Sequence, residues 1–272
     1  QRQMCIRDRR TTIASVANKD YNMMQFRVNS GGMELGHVHI DNDGTIHHSS
    51  YWPYGDTIDG SQAFMPDDPT SQFEGMTEDV TTGSLVLDIV DNGQIERNYI
   101  FGTTGGFLAV DTPNGNLVCL EQNGSGDFET TNAGTYSALF FSKSGAQTGV
   151  GNVESPTSGD VDRATLTVGS GGSILVQDSV GTTIATGTLV AIKDDATLST
   201  GIGDECHGLF FVDIATTGAD ASPVTQRVFM TFLKDGTHTS MLFASFKPDS
   251  SITSGTYSYF YGCALKQVAG DG

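Results

Sequence analysis

Short stretches in which apolar and polar residues alternate recur along almost the whole chain. Tyr257, Tyr259, Tyr261, Cys263 and Leu265 fall on one side of such a stretch, and Cys206, Phe210, Val212 and Ile214 on one side of another. A period of two is the mark of a half-buried β-strand. In the second half the pattern predicts strands near 134–142, 162–168, 173–179, 182–191, 207–215, 224–234, 237–247 and 256–266. Hairpin chemistry separates them: Lys234-Asp235-Gly236-Thr237, Gly169 to Gly172, and Asp91-Asn92-Gly93 in the first half.

The pattern also repeats itself. Gly83-Ser84-Leu85-Val86-Leu87-Asp88-Ile89 leads to Gly93, and Gly208-Leu209-Phe210-Phe211-Val212-Asp213-Ile214 leads to Gly218 with the same spacings. Upstream, Val38-His39-Ile40 before Gly44-Thr45-Ile46 matches Leu166-Thr167-Val168 before Gly172-Ser173-Ile174. Near the start, Tyr21 to Val28 parallels Tyr136 to Lys143. Downstream, Cys119-Leu120-Glu121-Gln122 matches Cys263-Ala264-Leu265-Lys266-Gln267 with one insertion. Matches that keep their order argue for an internal duplication. The expected fold is all-β: two tandem antiparallel up-and-down β-barrels of about eight strands each. One large β-sandwich or a single large barrel is the alternative. The expected repeats are 10–122 and 134–268, joined by a linker over 123–133. A segment from about Pro53 to Thr82, with Met65-Pro66-Asp67-Asp68-Pro69, reads as an irregular insertion without a counterpart.

Composition narrows the function classes. Only 17% of the residues are charged, 34 are glycine, and the net charge is −18. Such a surface repels phosphate backbones, so nucleic acid is not an expected partner. No apolar run reaches the roughly 18–20 residues of a membrane-spanning helix. An acidic, Gly- and Thr-rich chain suits a location outside the cytoplasm: extracellular, periplasmic or at a bacterial cell surface. Besides Cys5, three cysteines remain, Cys119, Cys206 and Cys263. Of these the favoured disulfide is Cys206–Cys263, both expected on strands of the second half; the alternative is three small buried hydrophobes.

Two resemblances bear on this. Residues 1–9, Gln1-Arg2-Gln3-Met4-Cys5-Ile6-Arg7-Asp8-Arg9, resemble a translated sequencing adapter, as at the edges of metagenomic assemblies. On that reading they are not native, and Cys5 is not counted. The strand count and Gly134-Thr135-Tyr136, which is similar to the Gly-x-Trp opening of lipocalins with Tyr for Trp, resemble tandem calycin-like barrels of the lipocalin and avidin type. That resemblance implies barrels packed with side chains or holding one small apolar ligand.

Candidate chemistry is concentrated in His37-Val38-His39-Ile40-Asp41-Asn42-Asp43-Gly44-Thr45-Ile46-His47-His48. Asp-Asn-Asp-Gly-Thr fits a type I turn followed by a glycine bulge. That turn pairs Ile40 with Ile46, His39 with His47 and Val38 with His48. Alternation then sends His37, His39 and His47 to one face; a different turn length would put His48 there instead of His47. Three imidazoles about 5 Å apart at Cβ suit zinc or another transition metal. The site also resembles the His-x-His metal strand of alpha-type carbonic anhydrases, in these residues only. The second repeat carries Thr165, Thr167 and Leu175 at these places, so the fold itself does not require histidine. The other reading is a solvated polar strand face. Hydrolytic chemistry would need a base such as Glu34 or Asp41.

Tyr51, Trp52 and Tyr54 follow and could stack on a sugar or anchor a partner, or close the end of a barrel. Asp41-Asn42-Asp43-Gly44 lacks the later ligands of a calcium loop. Nucleophile-elbow, phosphate-loop and dinucleotide motifs are absent. The leading expectation is a non-enzymatic binding or structural module of a bacterial surface or extracellular matrix. A transition-metal protein or metal-dependent enzyme and a small apolar ligand carrier are the rivals. Expected partners are a carbohydrate, an apolar ligand or another surface protein.

Overall fold

A computed structural model of the chain describes residues 10–27, 33–52, 63–65, 73–91, 93–112, 115–122, 126–147, 160–195, 205–217, 223–245 and 255–268. The adapter-like residues 1–9, Tyr54 and the side chains of Tyr51 and Trp52 lie outside the described residues.

The first half forms β1 (Lys19–Arg27), β2 (Met33–Ile40), β3 (Ile46–Trp52), β4 (Ala63–Met65), β5 (Phe73–Asp79), β6 (Ser84–Asp91), β7 (Gln94–Gly102), β8 (Phe107–Thr112) and β9 (Gly115–Glu121). The second forms β10 (Gly134–Gln147), β11 (Asp160–Val168), β12 (Ser173–Gln177), β13 (Thr183–Thr188), β14 (Val190–Ala191), β15 (Leu209–Thr217), β16 (Pro223–Asp235), β17 (His238–Ser245) and β18 (Gly255–Lys266). The sheet orders are β4-β3-β2-β1-β9-β8-β7-β6-β5 and β13-β12-β11-β10-β18-β17-β16-β15-β14. Each is an antiparallel meander whose first strand also pairs with its last. The fold is therefore all-β, with one half-barrel and one nearly closed barrel.

The two sheets also agree residue for residue. Tyr21 pairs with Val38 and Glu121, and Tyr136 with Leu166 and Lys266. Asp41 N–H donates to Thr45 O at 2.8 Å and Gly44 N–H to Asp41 O at 3.0 Å. Gly169 to Ser173 and Gly172 to Gly169 repeat this at 2.8 and 2.9 Å. Gly44 and Gly172 take φ of +89° and +79°, the left-handed geometry that such a bulge needs. Arg97 forks onto Asp88 through Nε and Nη2 at 2.8 and 2.7 Å, and Arg227 onto Asp213 at 2.7 and 2.8 Å. Both pairs join directly opposed residues of β6–β7 and β15–β16.

Each barrel is plugged at the mouth before its first strand. In the first, a one-turn helix α1 (Ile13–Val16) lies across the opening, and Tyr21 Oη donates to Val16 O at 3.1 Å. In the second, a 3-10 turn at Thr130–Asn132 does the same, with Tyr136 Oη donating to Asn132 O at 2.6 Å. Phe128 then stands edge-on to Phe210 and Phe232, each at 6.0 Å between centroids. Aromatic edges meeting faces fill this end with the favoured quadrupole geometry.

Four sequence expectations change. The strand expected over 182–191 breaks at Leu189, whose N–H donates to Gly172 O at 2.9 Å, and β14 moves to pair with β15. There β13 comes against β15, and a Cβ on Gly187 would run into Val212. The segment read as an irregular insertion holds the whole of β4 and β5. The cysteine match is off by one: Cys119 pairs with Met23, whereas its counterpart opposite Ala138 is Ala264. No insertion is needed, and Cys263 points to the other face, because one residue reverses a strand's facing. The favoured Cys206–Cys263 disulfide is absent. Cys206 is buried ahead of β15, away from the face of Phe210 and Val212, Cys263 is exposed, and all three described thiols are free.

Candidate functional site

The outer face of β1 and β2 is where the two barrels meet. Met24 and Leu35, directly opposed on these strands, pack with Ile192, Cys206, Leu209, Phe211, Phe229 and Ala244 of the second barrel. Asn22 on the same face donates through Nδ2 to His207 O at 2.7 Å and Thr231 Oγ1 at 3.1 Å. Gln122 Nε2 donates to Glu205 O at 2.7 Å and Asn22 Oδ1 at 3.1 Å. Buried amides that find their partners across the contact fix its register, since an unpaired one would cost about 1–3 kcal/mol.

The histidine hairpin forms the edge of this seam. β2 and β3 pair Ile40 with Ile46, His39 with His47 and Val38 with His48, the register that the turn chemistry predicts. His37, His39 and His47 share the outer face; His48 belongs to the inner one, with Nε2 3.7 Å from Glu34 Oε1. Asp20, opposite His39 on β1, enters between them. Its Oδ1 lies 2.9 Å from His37 Nε2 and 2.8 Å from His39 Nδ1. His39 Nε2 lies 3.2 Å from Asp41 Oδ1, and His47 Nε2 lies 2.9 Å from Asp41 Oδ2. His37 Nδ1 is 4.0 Å from Glu205 Oε2, which also accepts from Ser49 Oγ.

Acids and imidazoles thus alternate: Glu205, His37, Asp20, His39, Asp41, His47. Carboxylates only accept, so both ring nitrogens of His39 face acceptors. Burial pushes the Asp20 carboxyl up, but the hydrogen bonds and charge of His37 and His39 outweigh it and hold the group below its usual 3.8. Asp43 is also held low, by the backbone N–H and hydroxyl of Thr45 within the turn.

The candidate ligands His37, His39 and His47 are therefore brought to one face, and Asp41 stands beside them while Glu34 is inside the barrel. Among the described residues, no group of three or more His, Cys, Asp or Glu side chains is arranged to enclose a metal ion. Sequence reasoning missed Asp20 and Glu205. The first follows from the β1–β2 register, and the second comes from the other barrel with no local signal. Tyr51 and Trp52 end β3, where Tyr51 pairs with Leu35 and Phe64. The second barrel holds Thr135, Thr165, Thr167, Gly169 and Leu175 in place of Asp20, His37, His39, Asp41 and His47. The histidines of the ladder, with Asp20 and Asp41, come from the first barrel, and the second contributes Glu205.

No family model matches the chain, and no curated protein matches it. Solved structures give distant likenesses. A protein of unknown function from the DUF3598 family of Nostoc punctiforme PCC 73102 is 9% identical over 94% of this chain and 97% of that one, at a TM-score of 0.28. A mutant of the vaccine antigen transferrin binding protein B from Haemophilus parasuis Hp5 is 9% identical over 91% of this chain at a TM-score of 0.35, and this chain spans 45% of it. A protein of Bacteroides fragilis NCTC 9343 described as an outer membrane protein is 14% identical over 94% of this chain and all of that one, at 0.24. Scores this low carry no argument about function. No helix among the described residues is long and apolar enough to cross a membrane.

Proposed function

We propose that the chain is a non-enzymatic structural or binding module of a bacterial cell surface or extracellular matrix. Its working unit is a pair of repeats, 10–122 and 134–268, held as one body through the seam. The observation that carries this reading is the filling of the barrels by their own side chains. Tyr136, Phe128, Phe210 and Phe232 pack against one another in the second, and Tyr21, Met23, Leu85 and Ile100 lie in one buried cluster in the first. A carrier instead needs an open lumen of several hundred Å3. Titration with a fluorescent long-chain fatty acid is expected to show no saturable binding. Uptake near one molecule per barrel would overturn the structural reading in favour of a carrier.

The second reading is a transition-metal site, supported by His37, His39 and His47 sharing a face that the second barrel builds without histidine. Asp20 and Asp41 would be displaced or recruited as further ligands, since both already touch the imidazoles. Three neutral imidazoles with a carboxylate match the donor preference of zinc. Calorimetric titration of the chain with Zn2+ should give one site, lost in the His37→Ala, His39→Ala, His47→Ala variant. Absence of binding at stoichiometric concentration would overturn this reading.

A further inference from the structure

Each barrel also carries the counterpart of the face that its neighbour uses in the seam. On the first barrel the docking face is built by Met24 and Leu35, with Val118 and Leu120 beside them on β9. Met24 pairs with Leu35 and Val118, and Asn22 with Leu120. The matching pairs in the second barrel are Leu139 with Arg163 and Cys263, and Ser137 with Leu265. Position for position, Leu139 stands for Met24, Cys263 for Val118 and Leu265 for Leu120. Met24, packed against the neighbouring barrel, and Leu120 are 7% and 1% exposed, whereas Leu139 and Leu265 stand at 48% and 61%. The second barrel keeps the apolar face but leaves Leu139 and Leu265 exposed.

The receiving face shows the converse. On the second barrel it comprises Phe211, Phe229, Thr231 and Ala244, anchored by the Asp213–Arg227 pair. The Asp88–Arg97 pair places Val86, Tyr99, Phe101 and Asp111 at the same positions of the first barrel. Val86 is already covered there, but Phe101 is 46% exposed and Ile95 on the same face 63%. The replacements are complementary in charge as well. Arg163 takes the place of Leu35 on the presenting face, and Asp111 that of Ala244 on the receiving face, both exposed.

We propose that a second copy of this chain covers these faces: the Leu139–Cys263–Leu265 face of one copy docks on the Ile95–Tyr99–Phe101 face of the next. The contact that joins the barrels within a chain would then recur between chains. Such a contact is head to tail and leaves one face open at each end, so it propagates into a filament or closes into a ring. The inference deepens the structural-module reading by naming its partner. Fatty-acid uptake tests that reading and association state tests this one, so either can fail alone.

The test is sedimentation velocity of the whole chain in reducing buffer, at salt high enough to screen its net charge of −18. The chain should form species that grow with concentration. Leu265→Asp and Phe101→Asp should each be monomeric with an unchanged circular dichroism spectrum; Leu265→Ser and Phe101→Ser serve if either fails to fold. Mixing the two variants should give a dimer and nothing larger, because each retains the face that the other lacks. A chain monomeric at every concentration would overturn the proposal. So would a mixture that stays monomeric, or dimers abolished by Leu265→Asp yet indifferent to Phe101→Asp, which mark a twofold contact through the Cys263 face.

Discussion

Two tyrosines carry the same task in the two barrels, each tying the start of its sheet to the turn that closes the mouth. Tyr21 and Tyr136 are completely buried, and burial pushes both phenols well above their usual value of 10. A group that ionises more easily unfolded than folded withdraws stability as pH rises through its unfolded value. The chain should therefore lose stability above about pH 10, and absorbance at 295 nm should show two phenols ionising only with unfolding. Tyr21→Phe and Tyr136→Phe should each cost about 1 kcal/mol in urea unfolding and should reduce that alkaline loss. Asp20 works in the opposite direction. Its carboxyl is held below 3.8, so its contribution is present above that value and fades as pH falls below it. Asp20→Asn should lower the thermal midpoint at neutral pH, by an amount that shrinks as the pH falls below 3.8, measured by circular dichroism. Because Asp20 is half exposed, the neutral-pH loss should stay within about 1 kcal/mol. The thiols give a third residue-level check. In a Cys5→Ser background one thiol, Cys263, should react at once with a maleimide dye, and Cys119 and Cys206 only after denaturation.

At the scale of elements, what the sequence made legible was local. The hairpin from His37 to His48 could be registered because Asp41-Asn42-Asp43-Gly44-Thr45 specifies its own turn, and register follows from turn type. Alternation found the strands of the second barrel because their partners lie beside them in sequence. Contacts that depend on distant strands were not legible. Asp20 joins the histidines only through the pairing of β1 with β2, and Glu205 arrives from the other barrel. The Cys119 and Cys263 match failed for a related reason: identity of residue type outweighed the register, and one position separates inside from outside. The break at Leu189 was hidden because a strand that changes partners keeps its alternation. That crossing depends on close approach at Gly187, where β13 meets β15. Gly187→Val should force this junction apart and cost about 1–3 kcal/mol, read as a lower urea midpoint. The same change at Gly181, whose Cβ would meet nothing within 4 Å but whose φ is +86°, should cost only its backbone strain.

At the scale of the molecule, two sheets of the same strand order meet through faces that are not alike. The repeats share topology, mouth plug, bulged hairpin and forked ion pair. They differ where they meet: one presents Met24 and Leu35, the other receives them on Phe211 and Phe229, and the histidine ladder borders the contact. Leu35→Asp would bury a charge without a partner there, a change costing several kcal/mol. Differential scanning calorimetry of the chain and of Leu35→Asp tests this coupling most directly. One transition is expected for the chain, with calorimetric and van't Hoff enthalpies equal, and two separated transitions once Leu35 is replaced. Two independent transitions in the unaltered chain, unmoved by Leu35→Asp, would contradict it.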